Sequence, residues 1–279
     1  MGDQSDYMFR QMDSYDTPEN LPVSRLFRLT GRSRWYFYLQ NFFTFCRSGA
    51  AACRGELDAR RQIALSNENF HLVERCGGRI HLRGLEHLRA VAGRPVVMVG
   101  NHMSLLECAL FHAIAREYVD FSFIIKESLL KVPYFRHIMK SLDTVTVTRN
   151  NPREDLKKVL TDGRRVLEEG RSMIVFPQST RSEFFDPAHF NTIGVKLAKS
   201  AGVPVLPFAL KTDFIGNGRR FRDLGPVRPE REVWFEFAPA LEISGNGLEQ
   251  HQQIVSFISG RIDDWRRAEA LSDAQPAEG

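Results

Sequence analysis

The sequence predicts an α/β fold, with a mixed, largely parallel central sheet flanked by helices and an N-terminal helical segment before it. From about residue 78 onward, short apolar or β-branched runs alternate with longer stretches of helical character. This alternation is typical of a sheet with helices packed on it. The 279 residues, of which 43% are hydrophobic, are enough to bury a sizeable core in one large domain with additions or in two small ones.

The strands are predicted from short apolar runs bounded by turn residues. They lie at 96–99, 121–125, 144–148, 172–176, 203–210 and 233–238, with helices between them near 105–117, 127–141, 153–169 and 189–201. The third helix has the clearest ends, because Asn151 suits the N-cap, Pro152 the first helical position and Gly170 the end. In folds of this kind, ligands bind at the carboxyl ends of the strands.

Composition divides the chain into four parts. Residues 1–22 are polar and acidic and are predicted to be a flexible tail. Residues 23–77 form a basic, aromatic helical segment, residues 78–266 form the main domain, and residues 267–279 are predicted to be a flexible C-terminal tail. Eight arginines against two acids in residues 21–65 make the second part suited to a membrane surface or another polyanion.

Residues 34–47 hold seven aromatic residues between Arg34 and Arg47. The run is shorter than the ~20 apolar residues that span a bilayer, so no clear transmembrane span is predicted. One interpretation is a helix that lies in the membrane interface; the other is a helix that packs on the main domain, and one helix could do both. The first residues lack the basic and apolar regions of a signal peptide, so we expect a peripheral or monotopic protein at the cytoplasmic face of a membrane.

Composition gives no support to several other classes of protein. A net charge of +4 does not favour a nucleic-acid partner. The four cysteines form no CxxC pair and no cluster with zinc-ligand spacing, so no metal is expected, and Cys108 is predicted to lie in the core.

The stretch NHMSLLE, residues 101–107, places a histidine and a glutamate just after a predicted strand. Histidine is a common general base, and a carboxylate fixes its tautomer. Five positions on one helix differ by about 140°, so the pair requires His102 to lie in the turn before the helix, with Glu107 reaching back. Ser104 and Glu107 also match a capping box, which leaves a purely structural interpretation open.

The stretch FPQSTRS, residues 176–182, follows another predicted strand. Its hydroxyls, backbone N–H groups and Arg181 suit a phosphate, although an exposed loop with a surface arginine has the same composition. Arg149 stands at the end of the strand TVTVT, and the proline-bracketed run VPVLPFAL suits a buried wall or an acyl-chain tunnel.

Together, the ordered motifs resemble those of the glycerolipid acyltransferase family, best known for 1-acylglycerol-3-phosphate acyltransferases. His-x4-acid, then Lys…Pro…Arg, then FP-x-x-TRS, then VPVLP occur in family order over about residues 78–240. Glu107 replaces the family's aspartate. Gln178 and Ser179 replace glutamate and glycine, and Arg136 stands where glycine is usual.

The resemblance implies an O-acyltransferase without a metal or cofactor, whose acyltransferase domain is residues 78–266. It would move a fatty acyl group from acyl-CoA or acyl-carrier protein to a hydroxyl of a lysophospholipid such as 1-acylglycerol-3-phosphate, in phospholipid biosynthesis. His102 would be the general base and Glu107 would orient it. The residues implied to bind the acceptor are Lys126, Arg149, Gln178, Ser179, Thr180 and Arg181.

The departures at Gln178 and Ser179 motivate an alternative from another class. In this alternative the chain is a catalytically retired member of the same fold. It would bind lipid, or a protein partner at the membrane surface, through residues 34–47.

Overall fold

The computed structural model describes residues 7–178, 180–218 and 223–274, with side chains through residue 271. Its centre is an eight-stranded sheet in the order β1-β2-β8-β7-β3-β6-β4-β5. The β1–β2 and β7–β8 pairs are antiparallel and the other pairs are parallel, which confirms the predicted fold class. The strands are β1 (Ser14–Asp16), β2 (Ile80–Arg83), β3 (Val97–Gly100), β4 (Phe121–Lys126), β5 (Val145–Val147), β6 (Ser172–Val175), β7 (Val205–Lys211) and β8 (Val233–Phe237).

Helices cover both faces of this sheet. They are α1 (Arg25–Leu29), α2 (Arg34–Cys53), α3 (Ala59–Arg75), α4 (Leu85–Ala90), α5 (Leu106–Ala115), α6 (Phe135–Ser141), α7 (Pro152–Glu168), α8 (Ile193–Ala201) and α9 (Leu248–Ala274). The predicted helix over 127–141 is instead a 3-10 helix, Glu127–Lys131, followed by α6. The break falls at Val132, which is extended at φ −76° and ψ 125° because a residue before proline disfavours the helical region.

The core lies on both sides of the sheet. In β3, Met98 faces one cluster of buried side chains, whereas Val97 and Val99 face the other. Strands buried on both faces read as continuous apolar runs, which is why VVMV and SMIV were recognisable as strands. Because both faces of the sheet are buried, polar residues that bind a ligand are expected at the ends of the strands.

Four neighbouring strands place the predicted site residues at their carboxyl ends. The strands β3, β6, β4 and β5 are parallel to their neighbours, with Val99 opposite Val175 and Lys126 opposite Val147. Their carboxyl ends therefore lie side by side. His102 follows β3, Gln178 and Arg181 follow β6, Lys126 ends β4 and Arg149 follows β5.

The predicted flexible tail over residues 1–22 is wrong for residues 7–17. Phe9 is 1% exposed and lies 5.2 Å from the ring centroids of Tyr15 and of Phe70, and β1 pairs with β2. The buried carboxylate of Glu74 accepts hydrogen bonds from Tyr15 (2.6 Å) and Thr17 (2.9 Å). These apolar and polar contacts anchor the stretch despite its acidic composition.

The predicted C-terminal tail over residues 267–279 is wrong as far as residue 274. The helix α9 continues through that residue. Glu269 forms ion pairs with Lys211, which is 1% exposed, and with Arg231 at 3.0 Å. Because a buried lysine requires a compensating carboxylate, this part of the helix is held on the sheet. Residues 275–279 lie outside the described residues.

The predicted helical segment over residues 23–77 contains α1, α2 and α3. The inner side of α2 packs on the main domain, with Phe37 buried against Phe214 at 5.7 Å between ring centroids. The buried Tyr38 hydroxyl donates a hydrogen bond to the Gly225 carbonyl at 3.0 Å. Among the described helices, none combines the length and apolarity needed to cross a bilayer.

Candidate active site

The turn after β3 is held rigidly against β7. A side chain at Gly100 would meet the Phe208 ring at 2.1 Å, so only glycine lets the two strands approach there. The Asn101 side chain donates to the Leu210 carbonyl and accepts from the Leu210 N–H, both at 2.8 Å. This two-point contact fixes the position from which His102 projects.

His102 and Glu107 form a hydrogen-bonded pair. His102 Nδ1 contacts Glu107 Oε2, and the histidine side chain is 19% exposed whereas the glutamate side chain is fully buried. The histidine precedes the helix and the glutamate lies in its first turn, as the sequence required for a pair. Since the carboxylate accepts a hydrogen bond from Nδ1–H, the neutral ring has its free lone pair on Nε2.

The second oxygen of Glu107 is held by three donors. Oε1 accepts from the backbone N–H of Met103 (2.8 Å) and of Ser104 (2.6 Å), and from the Thr212 hydroxyl (2.6 Å). The contact with Ser104 is the one that a capping box predicts, although α5 begins at Leu106. The two interpretations of NHMSLLE are therefore compatible, because one carboxylate oxygen holds the helix start and the other holds His102.

The loop after β6 holds the backbone and ring of His102. The His102 N–H donates to the side-chain oxygen of Gln178 at 2.6 Å, and its carbonyl accepts from the Ser182 N–H at 3.0 Å. The imidazole ring stacks on Phe176, with centroids 4.2 Å apart and planes 19° apart. Phe176 therefore packs on the face of the ring, whereas Glu107 contacts its Nδ1 edge.

Gln178 thus has a different contact from the one that the resemblance implied. Its side-chain oxygen is committed to the backbone of His102, whereas lining the acceptor site stays a prediction. A glutamate would offer the same acceptor oxygen at this position. The replacement of glutamate by glutamine therefore preserves the hydrogen bond that positions the histidine.

Arg149 and Arg181 follow strands that are two apart in the sheet, and their charges act on each other. Burial lowers the pKa of Arg149; Asp155 opposes this shift, and the charge of Arg181 adds to it. The backbone of Arg149 has a positive φ of 64°. The Asp155 carboxylate accepts a hydrogen bond from the Arg149 N–H at 2.7 Å. Arg181 forms an ion pair with Asp223 at 2.5 Å. Two cations that repel each other in this way suit a phosphate, which would neutralise both.

The remaining predicted binding residues are Lys126, Thr180 and Ser179. Lys126 is exposed at the end of β4, opposite the residue two positions before Arg149. Thr180 is exposed in the loop after β6. Ser179 lies outside the described residues.

The sequence interpretation missed Thr212 and misplaced Cys108. Thr212 directly follows the apolar strand β7, which the sequence could reveal, but only the structure shows that β7 neighbours β3. Cys108 is exposed and does not lie in the core.

Comparison with known proteins supports the family that the motifs resemble. The Acyltransferase family model matches residues 79–211. The 1-acyl-sn-glycerol-3-phosphate acyltransferase of Pseudomonas aeruginosa is 24% identical over 247 residues, which are 88% of this chain and 81% of that protein. The chloroplastic enzyme LPAT1 of Arabidopsis thaliana, also a 1-acyl-sn-glycerol-3-phosphate acyltransferase by name, is 29% identical over 50% of this chain and 37% of that protein.

The fold has a counterpart among solved structures. The crystal structure of the 1-acyl-sn-glycerophosphate (LPA) acyltransferase PlsC from Thermotoga maritima superposes with a TM-score of 0.58 at 20% identity, covering 88% of this chain and 96% of that one. These matches support membership of the glycerolipid acyltransferase family and a function as an acyltransferase of glycerolipid synthesis.

Proposed function

We propose that the chain transfers a fatty acyl group from an acyl thioester to a hydroxyl of a lysophospholipid, with His102 as the general base. The pair of His102 with the buried Glu107 at the carboxyl end of β3 carries this proposal. The donor is acyl-CoA or acyl-carrier protein, and the acceptor is a 1-acylglycerol-3-phosphate. The names of the Pseudomonas and Arabidopsis relatives support this acceptor.

The proposed reaction is a direct transfer. Nε2 of His102 removes the proton of the acceptor hydroxyl while that oxygen attacks the thioester carbonyl. The tetrahedral intermediate collapses by breaking its carbon–sulfur bond, and the imidazolium returns the proton to the departing thiolate. Glu107 stabilises the imidazolium between these steps. The products are the acylated acceptor and a free thiol, with no acyl-enzyme.

The arginines supply the proposed contact with the acceptor phosphate. Arg149 and Arg181 stand at the ends of strands two apart in the sheet, and Lys126 lies at the end of the strand between β6 and β5. A phosphate bound there removes the repulsion between the two guanidiniums and gains charge-assisted hydrogen bonds. The phosphate would orient the glycerol hydroxyl toward His102.

We also propose that residues 34–47 contact a membrane surface. The outer face of α2 exposes Trp35 (56%), Leu39 (53%), Phe42 (56%) and Phe43 (53%), and this spacing puts them on one side of the helix. Exposed apolar side chains in such a group mark an interaction site, and the flanking arginines suit anionic lipid. The helix therefore packs on the main domain with one side and can enter the interface with the other.

The segment after β4 extends this apolar face. Phe45 of α2 stacks on Phe135 with centroids 6.4 Å apart, which brings α2 against the segment that exposes Leu129 (40%) and Val132 (43%). Lys126 begins that segment. A membrane contact here would place the strand ends that bind the acceptor beside the membrane, from which the lysophospholipid comes.

The function is tested with purified protein, acyl-CoA or acyl-carrier protein, and a set of lysolipids in vesicles. The expected result is thiol release that depends on lysophosphatidic acid and forms a diacyl product. Thiol release without an acceptor would instead indicate a hydrolase, and no release with any lysolipid would favour the retired alternative.

Vesicle co-sedimentation tests the membrane contact separately. Serine at both Phe42 and Phe43 should weaken binding to anionic vesicles. Leu271→Ser changes a comparably exposed residue, 71% accessible, on α9 and should not weaken it. Equal binding by both variants would contradict the proposed surface.

A further inference from the structure

We propose that Thr212, which lies beyond the motifs that identify the family, is a positioning residue for the catalytic pair. In this role it fixes Glu107 so that the carboxylate keeps its second oxygen on His102. The inference rests on the proposed general-base function of His102.

Hydrogen-bond chemistry fixes the direction of every proton around Thr212. The Leu106 N–H can only donate, so the Ser104 hydroxyl accepts from it at 3.1 Å. The Ser104 hydroxyl in turn donates its proton to Thr212 Oγ1 at 2.9 Å. The Thr212 proton is then left for Glu107 Oε1, at 2.6 Å. The chain of donors therefore runs from the first turn of α5 to the carboxylate.

Burial makes this chain matter. Thr212 and Glu107 are 0% exposed and Ser104 is 2% exposed, so water does not replace a lost partner. A buried carboxylate is stabilised by its donors, and each charge-assisted hydrogen bond contributes more than a neutral one. Thr212 supplies one of the three donors to Oε1 and is the only side chain among them.

The fold holds Thr212 in place independently of Glu107. It directly follows β7, which pairs with β3 as far as Gly100 opposite Phe208. The Asn101 amide binds both backbone groups of Leu210, and the Thr212 N–H contacts Met103 Sδ at 3.2 Å. Thr212 is thus held at the end of β7, the strand next to β3. Its hydrogen bond to Glu107 connects β7 to the start of α5.

Thr212→Val keeps the shape and removes the hydroxyl. We expect kcat to fall about 10- to 100-fold, the range that loss of one charge-assisted hydrogen bond implies, with KM for the lysolipid nearly unchanged. With fewer donors the carboxylate holds protons more tightly, so the acid limb of the kcat/KM profile should move to higher pH. Thr212→Ser keeps a donor and should restore most of both properties.

Thr17→Val is the matched control. Thr17 is also buried and donates to a buried carboxylate, Glu74, at 2.9 Å, but on the β1 side of the sheet. This variant should lower the melting temperature without changing kcat or the pH profile. Ser104→Ala removes the hydroxyl that donates to Thr212 and accepts from the Leu106 N–H. It should lower kcat a few-fold and provides a second test should Thr212→Val fold poorly.

The inference would be overturned if Thr212→Val had the kcat and the pH profile of wild type. It would also be overturned if kcat fell as far in Thr212→Ser as in Thr212→Val. Failure of the proposed function has a different signature. If His102→Ala also retains full turnover, the general-base mechanism itself is wrong. If His102→Ala is inactive while Thr212→Val is normal, only the role of Thr212 is wrong.

Discussion

His102 donates from Nδ1 to the buried carboxylate of Glu107, across the boundary between a turn and the helix that follows it. The same carboxylate accepts the backbone N–H of Ser104 at 2.6 Å. The contact with the proposed general base and a contact at the start of the helix therefore share one side chain. Substitutions that change its charge but keep its shape separate the two roles.

Glu107→Gln should abolish most activity and leave the fold intact. The amide oxygen can still accept from Met103, Ser104 and Thr212, so we expect a melting temperature within a few degrees of wild type. The amide nitrogen would then face His102 Nδ1 and favour the tautomer that is protonated on Nε2, which cannot act as a base. We expect kcat to fall on the order of 1,000-fold.

Glu107→Asp is the control for charge, since it keeps the carboxylate and should retain measurable turnover. Stopped assays of diacyl product and thermal unfolding measure both properties. Near-normal activity in Glu107→Gln, together with a loss of stability in Ser104→Ala, would leave Glu107 with the capping role alone.

Gln178 tests whether the altered loop still supports catalysis. Gln178→Glu keeps an oxygen for the His102 N–H and should stay within a few-fold of wild-type kcat. Gln178→Leu leaves that partly buried N–H without its partner, and we expect kcat to fall about 10-fold. Single-substrate kinetics on the two variants measure the difference. Equal kcat for Gln178→Glu and Gln178→Leu would show that the hydrogen bond from the His102 N–H to Gln178, 2.6 Å long, does not position the base.

Arg149 and Arg181 should contribute mainly to the affinity for a phosphate-bearing acceptor. Alanine at either position should raise KM for lysophosphatidic acid about 10-fold or more, because a charge-assisted contact is lost. The KM for a monoacylglycerol, which lacks the phosphate, should change little. Arg164→Ala is the control, because Arg164 is exposed on α7 and pairs only with its helical neighbour Glu168 among the described residues. Equal effects on both acceptors would contradict a phosphate site.

Glu117 should make stability depend on pH. Burial raises its pKa from 4.5 to about 7, against smaller opposing contributions from Tyr118, Arg10, Phe9 and Arg89. Between these two values the folded protein keeps a proton that the unfolded chain has released, so the free energy of unfolding falls as pH rises from about 4.5 to about 7. Above that window the contribution is constant.

Glu117→Gln removes this titration. The melting temperature of the variant relative to wild type should therefore rise across the same window and then level off. Glu230→Gln, at an exposed turn, should show no such trend. A difference between Glu117→Gln and wild type that is independent of pH would contradict the raised pKa.

Local patterns predicted the sheet and the contact between His102 and Glu107, whereas long-range contacts decided the rest. VVMV, SMIV and VPVLPFAL are recognisable because strands buried on both faces are apolar throughout. The N-terminal stretch was misjudged because Phe9 packs against distant partners, among them Phe70, that composition does not reveal. Similarly, Glu269 is part of a packed helix because it neutralises Lys211, which lies 58 positions away.

The site follows the same division. The pairing of His102 with Glu107 depends on five residues of sequence and was foreseeable. The contact of Thr212 with Glu107 spans 105 positions, and that of Gln178 with His102 spans 76. Both exist because β7 and β6 flank β3, and only the strand order reveals which polar residues converge.

The rate of acceptor-dependent thiol release by His102→Ala, measured beside a folded control, tests the central claim most directly. His102 is partly exposed and its backbone contacts survive truncation, so the variant should melt near wild type. The account predicts that its turnover falls at least 1,000-fold, at every pH from 6 to 9. Turnover within tenfold of wild type in a correctly folded His102→Ala protein would contradict the account.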